Sequence, residues 1–215
     1  MFQRPETAKK LYFDIIPKAV DEYITFVDKF DSQSDKEKLE NPAWYIHGGQ
    51  IPASQRSPVS FALLLNLVNA AHTEDPKVLW GFIRQYSPQA TPENAPFLDR
   101  LVGYAITYYR DFILPNKKYR LPDERERKAL TDLAARLKTM AAGQEPEVYM
   151  TEVFTAGKEN GYEKDQLRDW FQALYQVLLG QDQGPRFGSF VALYGPKETA
   201  QIIDDALAGK LAKAA

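Results

Sequence analysis

Between Gln166 and Gly195 a helix dense in aromatics, QLRDWFQALYQVLLG, runs into the elbow Gly184-Pro185-Arg186-Phe187-Gly188, and a second short helix leaves it. Arg168, Trp170, Phe171, Tyr175, Arg186, Phe187 and Phe190 bring together ring and guanidinium planes with hydrogen-bond donors. Those are the materials for holding an unstacked nucleic-acid base and reading its edge. Stacking of this kind contributes about 1–3 kcal/mol per base. Arg186 is the only cation between Gly180 and Gly195. A rigid proline and two permissive glycines surround it, so the backbone can carry it close to a ligand. At a helix N-terminus its planar fork would join free backbone N–H groups, which suits a base edge or a phosphate. Packing is the competing reading. Trp170, Phe171 and Leu174 lie on the apolar stripe of their helix, Phe190 fits a core equally well, and Arg186 could tie the elbow to Asp182 or Asp169.

A second cationic feature lies upstream. Between Arg110 and Lys138 nine basic residues face five acidic ones, leaving the segment at about +4. Lys117, Lys118 and Arg120 form its densest part and are candidate phosphate contacts. A solvated helix face would have the same composition.

Catalytic constellations are missing. His47-Gly48-Gly49 has the look of an oxyanion-hole motif, but no Gly-x-Ser-x-Gly elbow exists to partner it. Gln50 stands where a His-x-x-His motif would need its second histidine, so His47 reads as loop packing. His72 reads as a helix-end or core residue. There is no Walker loop and no Gly-x-Gly-x-x-Gly after a strand. With no cysteine and only two histidines far apart, the chain carries no disulfide, no thiolate metal site and no expected metal.

The elements that must position these residues all read as helices. Leu11, Ile15, Val20, Ile24 and Val27 predict a helix over Glu6–Phe30 that Pro17 kinks or restarts. Residues 31–41 are polar, and residues 41–58 carry too many prolines and glycines for a long element, with Trp44, Tyr45 and Ile46 expected to plug that loop into the core. An all-round apolar helix follows from near Pro58, then one capped by Asp75 with Pro76 at its first position. A wide stripe runs from Phe97 to Leu114 and stops at Pro115. Residues 115–122, bracketed by prolines, are the expected boundary between a domain at 1–115 and one at 116–215. Beyond it we expect helices over 122–140, 147–160, 165–179, 186–194 and 196–208. Asp165 is the expected cap of the third, and Gly161, Gly180, Gly195 and Gly209 stand just past helix ends. No alternating strand pattern appears, so the fold class is all-α.

Composition sets the outer bounds. The chain has 215 residues, 44% hydrophobic and 26% charged, ordinary for a globular protein. No apolar run approaches the roughly 18–20 residues of a membrane helix, and no export signal opens the chain. The expected setting is cytoplasmic. A net charge of −2 argues mildly against holding nucleic acid by bulk charge alone.

Several long strings also resemble one known family in the same order: LYFDIIPKAVDEY, NPAWYIHGGQ, SFALLLNLVNAA, EDPKVLWGFIRQYSPQATPE, FLDRLVGYAITYYRDF and the segment from Gln166 to Gly195. The chain resembles the class I type of lysyl-tRNA synthetase over nearly its whole length. The resemblance implies a helical stem-contact region at 1–115 followed by an α-helix cage at 116–215 that binds the tRNA anticodon. It implies tRNA(Lys) as partner, with Arg186, Phe187, Arg168, Trp170, Tyr175, Lys117, Lys118 and Arg120 as candidate contacts. The family's His-x-x-His motif and Lys-Met-Ser-Lys-Ser-like loop do not occur here. ATP and magnesium would therefore belong to a catalytic domain lying amino-terminal to Met1 in a longer protein, and this chain would bind without catalysing. The alternative is a helical protein-interaction scaffold without RNA binding.

Overall fold

In the computed structural model, which describes residues 12–213, every regular element among the described residues is helical. The chain is all-α, as its periodicity predicts. A 3-10 turn at Phe13–Ile15 leads into α1 (Ile16–Phe30), with Pro17 in its first turn, so the proline restarts the helix rather than kinking it. The expected start at residue 6 lies outside the described residues. The polar stretch after α1 forms α2 (Asp35–Glu40), whose first turn is closed by the reciprocal Ser34–Glu37 capping box. Next comes α3 (Pro42–Ile46), capped by Asn41. Tyr45 and Ile46 are exposed, contrary to their expected role as plugs, because a helix this short has only one face to bury.

The apolar helix α4 (Phe61–Ala71) is buried almost all round. Its cap is Ser60, not the Pro58 region, and its first N–H groups also donate to Asp21 of α1, from Phe61 at 2.5 Å and Ala62 at 3.1 Å. α5 (Pro76–Tyr86) starts as predicted, with the Asp75 carboxylate accepting from Lys77 N–H at 2.9 Å. α6 (Pro96–Tyr108) runs on through a π turn at Tyr109–Ile113 and a 3-10 turn at Leu114–Asn116.

The second half comprises α7 (Glu124–Thr139), α8 (Pro146–Glu159), α9 (Leu167–Leu174), α10 (Phe187–Tyr194), α11 (Pro196–Leu207) and α12 (Lys210–Lys213). α7 packs on α11 and α8, and α10 lies against α8, α4 and α5. Residues 117–123 form no regular element and are anchored near their start. Lys118 N–H donates to the Gly180 carbonyl at 3.0 Å, and Asn69 Nδ2 of α4 donates to the Leu179 carbonyl at 2.8 Å. Phe82 of α5 stacks on Tyr194 of α10 with ring centres 5.0 Å apart. The buried core is therefore continuous across residue 115. Gly161, Gly180, Gly195 and Gly209 all take positive φ, as expected at helix ends.

Candidate nucleic-acid interface

The site is built on α9 and the loop that follows it. Asp165 does not cap this helix; Gln166 occupies the cap position without a side-chain bond. At Tyr175 the helix widens into a π turn, Tyr175–Leu179, which ends on Gly180 at φ +67°. Such turns recur at functional sites because one extra residue re-aims the side chains.

The apolar stripe of α9 faces inward, and burial there and on α10 removes three rings from the stacking set. Trp170 is fully buried beside Tyr162, and its Nε1 donates to the Val153 carbonyl of α8 at 2.9 Å. Phe187 is fully buried against Phe190 and Tyr175. Neither ring has a face left for a base. Phe190 is core as well. Phe171 and Tyr175 are half-buried and line the surface beside Arg168.

Tyr175 props the elbow. Its hydroxyl donates to the Pro185 carbonyl at 2.6 Å, and its ring occupies the space a side chain on Gly184 would need, with ring carbons 2.5 Å from that Cβ position. Burial pushes its phenol up to about 12, so it remains a donor throughout the physiological range. A Cβ on Gly188 would collide with the Pro146 carbonyl and Met150. The two elbow glycines are thus set by close approach rather than by positive φ.

That close approach brings Arg186, at the N-cap position of α10, against the first turn of α8. Its Nη1 lies 3.2 Å from Oε1 of Glu147, with both side chains more than half exposed. Neither Asp182 nor Asp169 is its partner.

The basic run is mostly engaged by partners within the protein. Arg120 makes a two-pronged ion pair with Glu126, each N–O distance 2.6 Å, and its Nε donates to Gln176 Oε1 at 2.7 Å. Glu126 also accepts from Asp123 N–H at 2.9 Å, closing the capping box of α7. Arg125 lies 3.8 Å over the Tyr162 ring and bonds Gln166 and the Gly161 carbonyl. Arg136 pairs with Asp132, Glu152 and Glu159. Lys117 is half-buried over the rings of Tyr119 and Tyr109. Of the expected phosphate contacts, Lys117 is thus caged by aromatics and Arg120 neutralised by a carboxylate. A +4 count by sequence cannot see such pairing.

Lys118 and Arg168 remain. Both are exposed, and neither forms an ion pair among the described residues. They stand on opposite sides of the loop at 180–184, which separates two open depressions of about 400 and 330 Å³. Phe112 and Lys118 line the first, Arg168, Phe171 and Tyr175 the second, and Asp182 both. Asp182 accepts from Gln176 Nε2 at 2.8 Å. A polar relay, Glu126–Arg120–Gln176–Asp182, thus fixes the loop between the two cations. Gln176 and Glu126 were not singled out by sequence, although Asp123-x-x-Glu126 is a legible capping box.

Elsewhere, His47 packs as its loop context suggests, with Nε2 2.7 Å from the Tyr23 hydroxyl. His72 ends α4 in the left-handed region at φ 47°. Among the described residues no cluster of three or more histidines and carboxylates could hold a metal, and no helix is long and apolar enough to cross a membrane.

The geometry defines an all-α protein with a two-sided groove, aromatic in its walls and flanked by unpaired cations. No protein-family model matches the chain. It is similar to lysine–tRNA ligases: 48% identical over 211 residues to that of Roseobacter denitrificans, 98% of this chain and 39% of the relative. The lysine–tRNA ligases of Rickettsia felis and Rickettsia bellii are each 44% identical over 208 residues, 96% of this chain. The chain spans about two fifths of the length of the curated relatives it matches.

Proposed function

We propose that the chain is the tRNA-binding, anticodon-recognising part of a lysine–tRNA ligase of the class I type. The intact protein joins lysine to tRNA(Lys) using ATP and magnesium in the cytoplasm, and a catalytic domain outside this chain carries that chemistry. The observation that carries the reading is the similarity to lysine–tRNA ligases across 96–98% of the chain. The groove around residues 180–184 supplies the contact surface: Arg168 and Lys118 for phosphates, Phe171 and Tyr175 for a base, and Arg186 at its margin. Carboxylates cannot fill this role, whereas free cations beside half-exposed rings can.

The direct test is a titration of this chain with lysine tRNA and with the same tRNA carrying an exchanged anticodon. Tighter binding of the native anticodon is expected. Equal affinity for both would leave a tRNA contact without recognition. Absence of binding to either would select the second reading, a helical protein-interaction scaffold, which the inward pairing of Arg120, Arg125 and Arg136 favours.

A further inference from the structure

An arginine side chain has no acceptor, and this fixes the direction of every hydrogen bond beyond Arg120. Its Nε donates to Gln176 Oε1 at 2.7 Å, so the Gln176 amide turns its NH2 the other way. That NH2 donates to Oδ1 of Asp182 at 2.8 Å. Glu126 holds the arginine itself through two N–O distances of 2.6 Å. One carboxylate oxygen of Asp182 is thereby committed to the protein. The other, Oδ2, has no hydrogen-bond or ion-pair partner among the described residues.

An exposed carboxylate held in this way is out of place on a surface that only grips phosphates. Asp182 lines both depressions, between Lys118 and Arg168, where it repels a phosphate and cannot stack. It can accept from a base edge. In the second depression it is joined by the Phe171 ring and by Gln172 and Gln183, exposed side chains whose amides can donate to a carbonyl. An acceptor beside amide donors complements a pairing edge on which a ring N–H adjoins a carbonyl. Uracil and guanine have that edge. Cytosine and adenine place a ring-nitrogen lone pair there, opposite the lone pairs of the carboxylate.

We propose that Asp182 is a specificity-determining residue of the groove. Its Oδ2 accepts the ring N–H of a uracil or guanine in the depression walled by Phe171 and turns cytosine and adenine away. The inference rests on the tRNA-binding reading and adds to it the residue that reads a base and the class of base it takes. The carboxylate weakens attraction for every RNA and recovers it only where a base donates to it, so repulsion itself creates selectivity. Gln176 and Arg120 act through it as positioning residues.

The experiment titrates the whole chain and its Asp182→Asn variant with lysine tRNA and with copies carrying each of the four bases at each anticodon position. At one position the parent should bind uracil or guanine about tenfold more tightly than cytosine or adenine, and the same series separates the two favoured bases. Asparagine keeps an oxygen for Gln176, so the melting temperature should hold, while its NH2 replaces Oδ2. A donor there should erase the preference at that position and tilt it towards cytosine and adenine. Absence of tRNA binding by the parent would remove the underlying reading and this inference with it. A parent that binds tRNA without such a preference, or an Asp182→Asn variant that keeps the parent's order of bases at every position, would overturn the role of Asp182 alone.

Discussion

Arg186 Nη1 stands 3.2 Å from Glu147 Oε1, joining the elbow before α10 to the first turn of α8 through a pair that water reaches from both sides. Exposed pairs contribute about 0–1 kcal/mol, so this contact is too weak to explain the elbow, which Tyr175 and the tight packing of Gly188 already hold. It is a resting partner that a phosphate or base edge can replace. Arg186→Ala should therefore leave the melting temperature nearly unchanged while costing about 1–3 kcal/mol of tRNA affinity and shrinking anticodon preference. Glu147→Ala should keep or raise affinity, since it frees the guanidinium. A lower melting temperature with intact preference would assign Arg186 to the fold instead.

Phe187 and Trp170 should behave in the opposite sense. Each is fully buried, so truncation leaves a cavity, and Trp170→Ala also removes the indole hydrogen bond to the Val153 carbonyl. Denaturant titrations should show losses of about 3–5 kcal/mol for either alanine variant. If Phe187→Ala melted like the parent and lost tRNA, its place in the core would be refuted.

Arg120 carries the relay beneath the loop. Glu126 is largely buried and Arg120 partly so, which places removal of the arginine between the surface and buried regimes, at about 1–3 kcal/mol. Arg120→Met should also loosen Asp182 through Gln176, detectable as faster amide exchange over residues 180–184 than over α7. Unchanged exchange there would show that the relay does not brace the groove.

Lys117 makes stability depend on alkaline pH. Its folded value, about 8, lies below the ordinary 10.5 of the unfolded chain. Between those values the unfolded state binds the extra proton, so stability rises with pH across that window. After discounting for residual solvent contact the rise is about 1–2 kcal/mol. Tyr175 and Tyr194, pushed up to about 12, act oppositely above pH 10 and are common to parent and variant. Stability of the parent minus that of Lys117→Met should thus increase from pH 8 towards 10. A flat difference would mean that the amine is well hydrated.

Much of the architecture was legible because helical period, proline stops and glycine ends agree locally: α7, α8, α10 and α11 lie within about two residues of their expected bounds, α5 starts where expected, and α9 reaches the expected residue 179 only through its π turn. The π turns at Tyr109–Ile113 and Tyr175–Leu179 were not, because an apolar stripe read at 3.6 residues per turn passes through one extra residue without a break. For the candidate site the limit was pairing. Nothing in the one-dimensional pattern separates Arg120, held by Glu126 six residues on, from Lys118, which is free. Trp170 and Phe187 illustrate the same limit for aromatics, since a stacking platform and a core stripe share one periodicity. Arg168 and Tyr175, expected as tRNA contacts, line one depression beside the elbow loop, but Asp182, which lines both depressions, entered only as a possible tie for Arg186.

The most direct measurement is the salt dependence of lysine-tRNA binding by the parent chain and by the double variant Lys118→Ala, Arg168→Ala. Each phosphate contact contributes about 0.7–0.9 to the slope of log K against log salt. If the two cations flank the RNA path, the double variant should lose roughly 1.4–1.8 of that slope together with affinity at low salt. Its melting temperature should not move, because neither side chain is engaged in an ion pair among the described residues. A slope and affinity equal to the parent's would contradict the groove at residues 180–184 as the tRNA-binding surface.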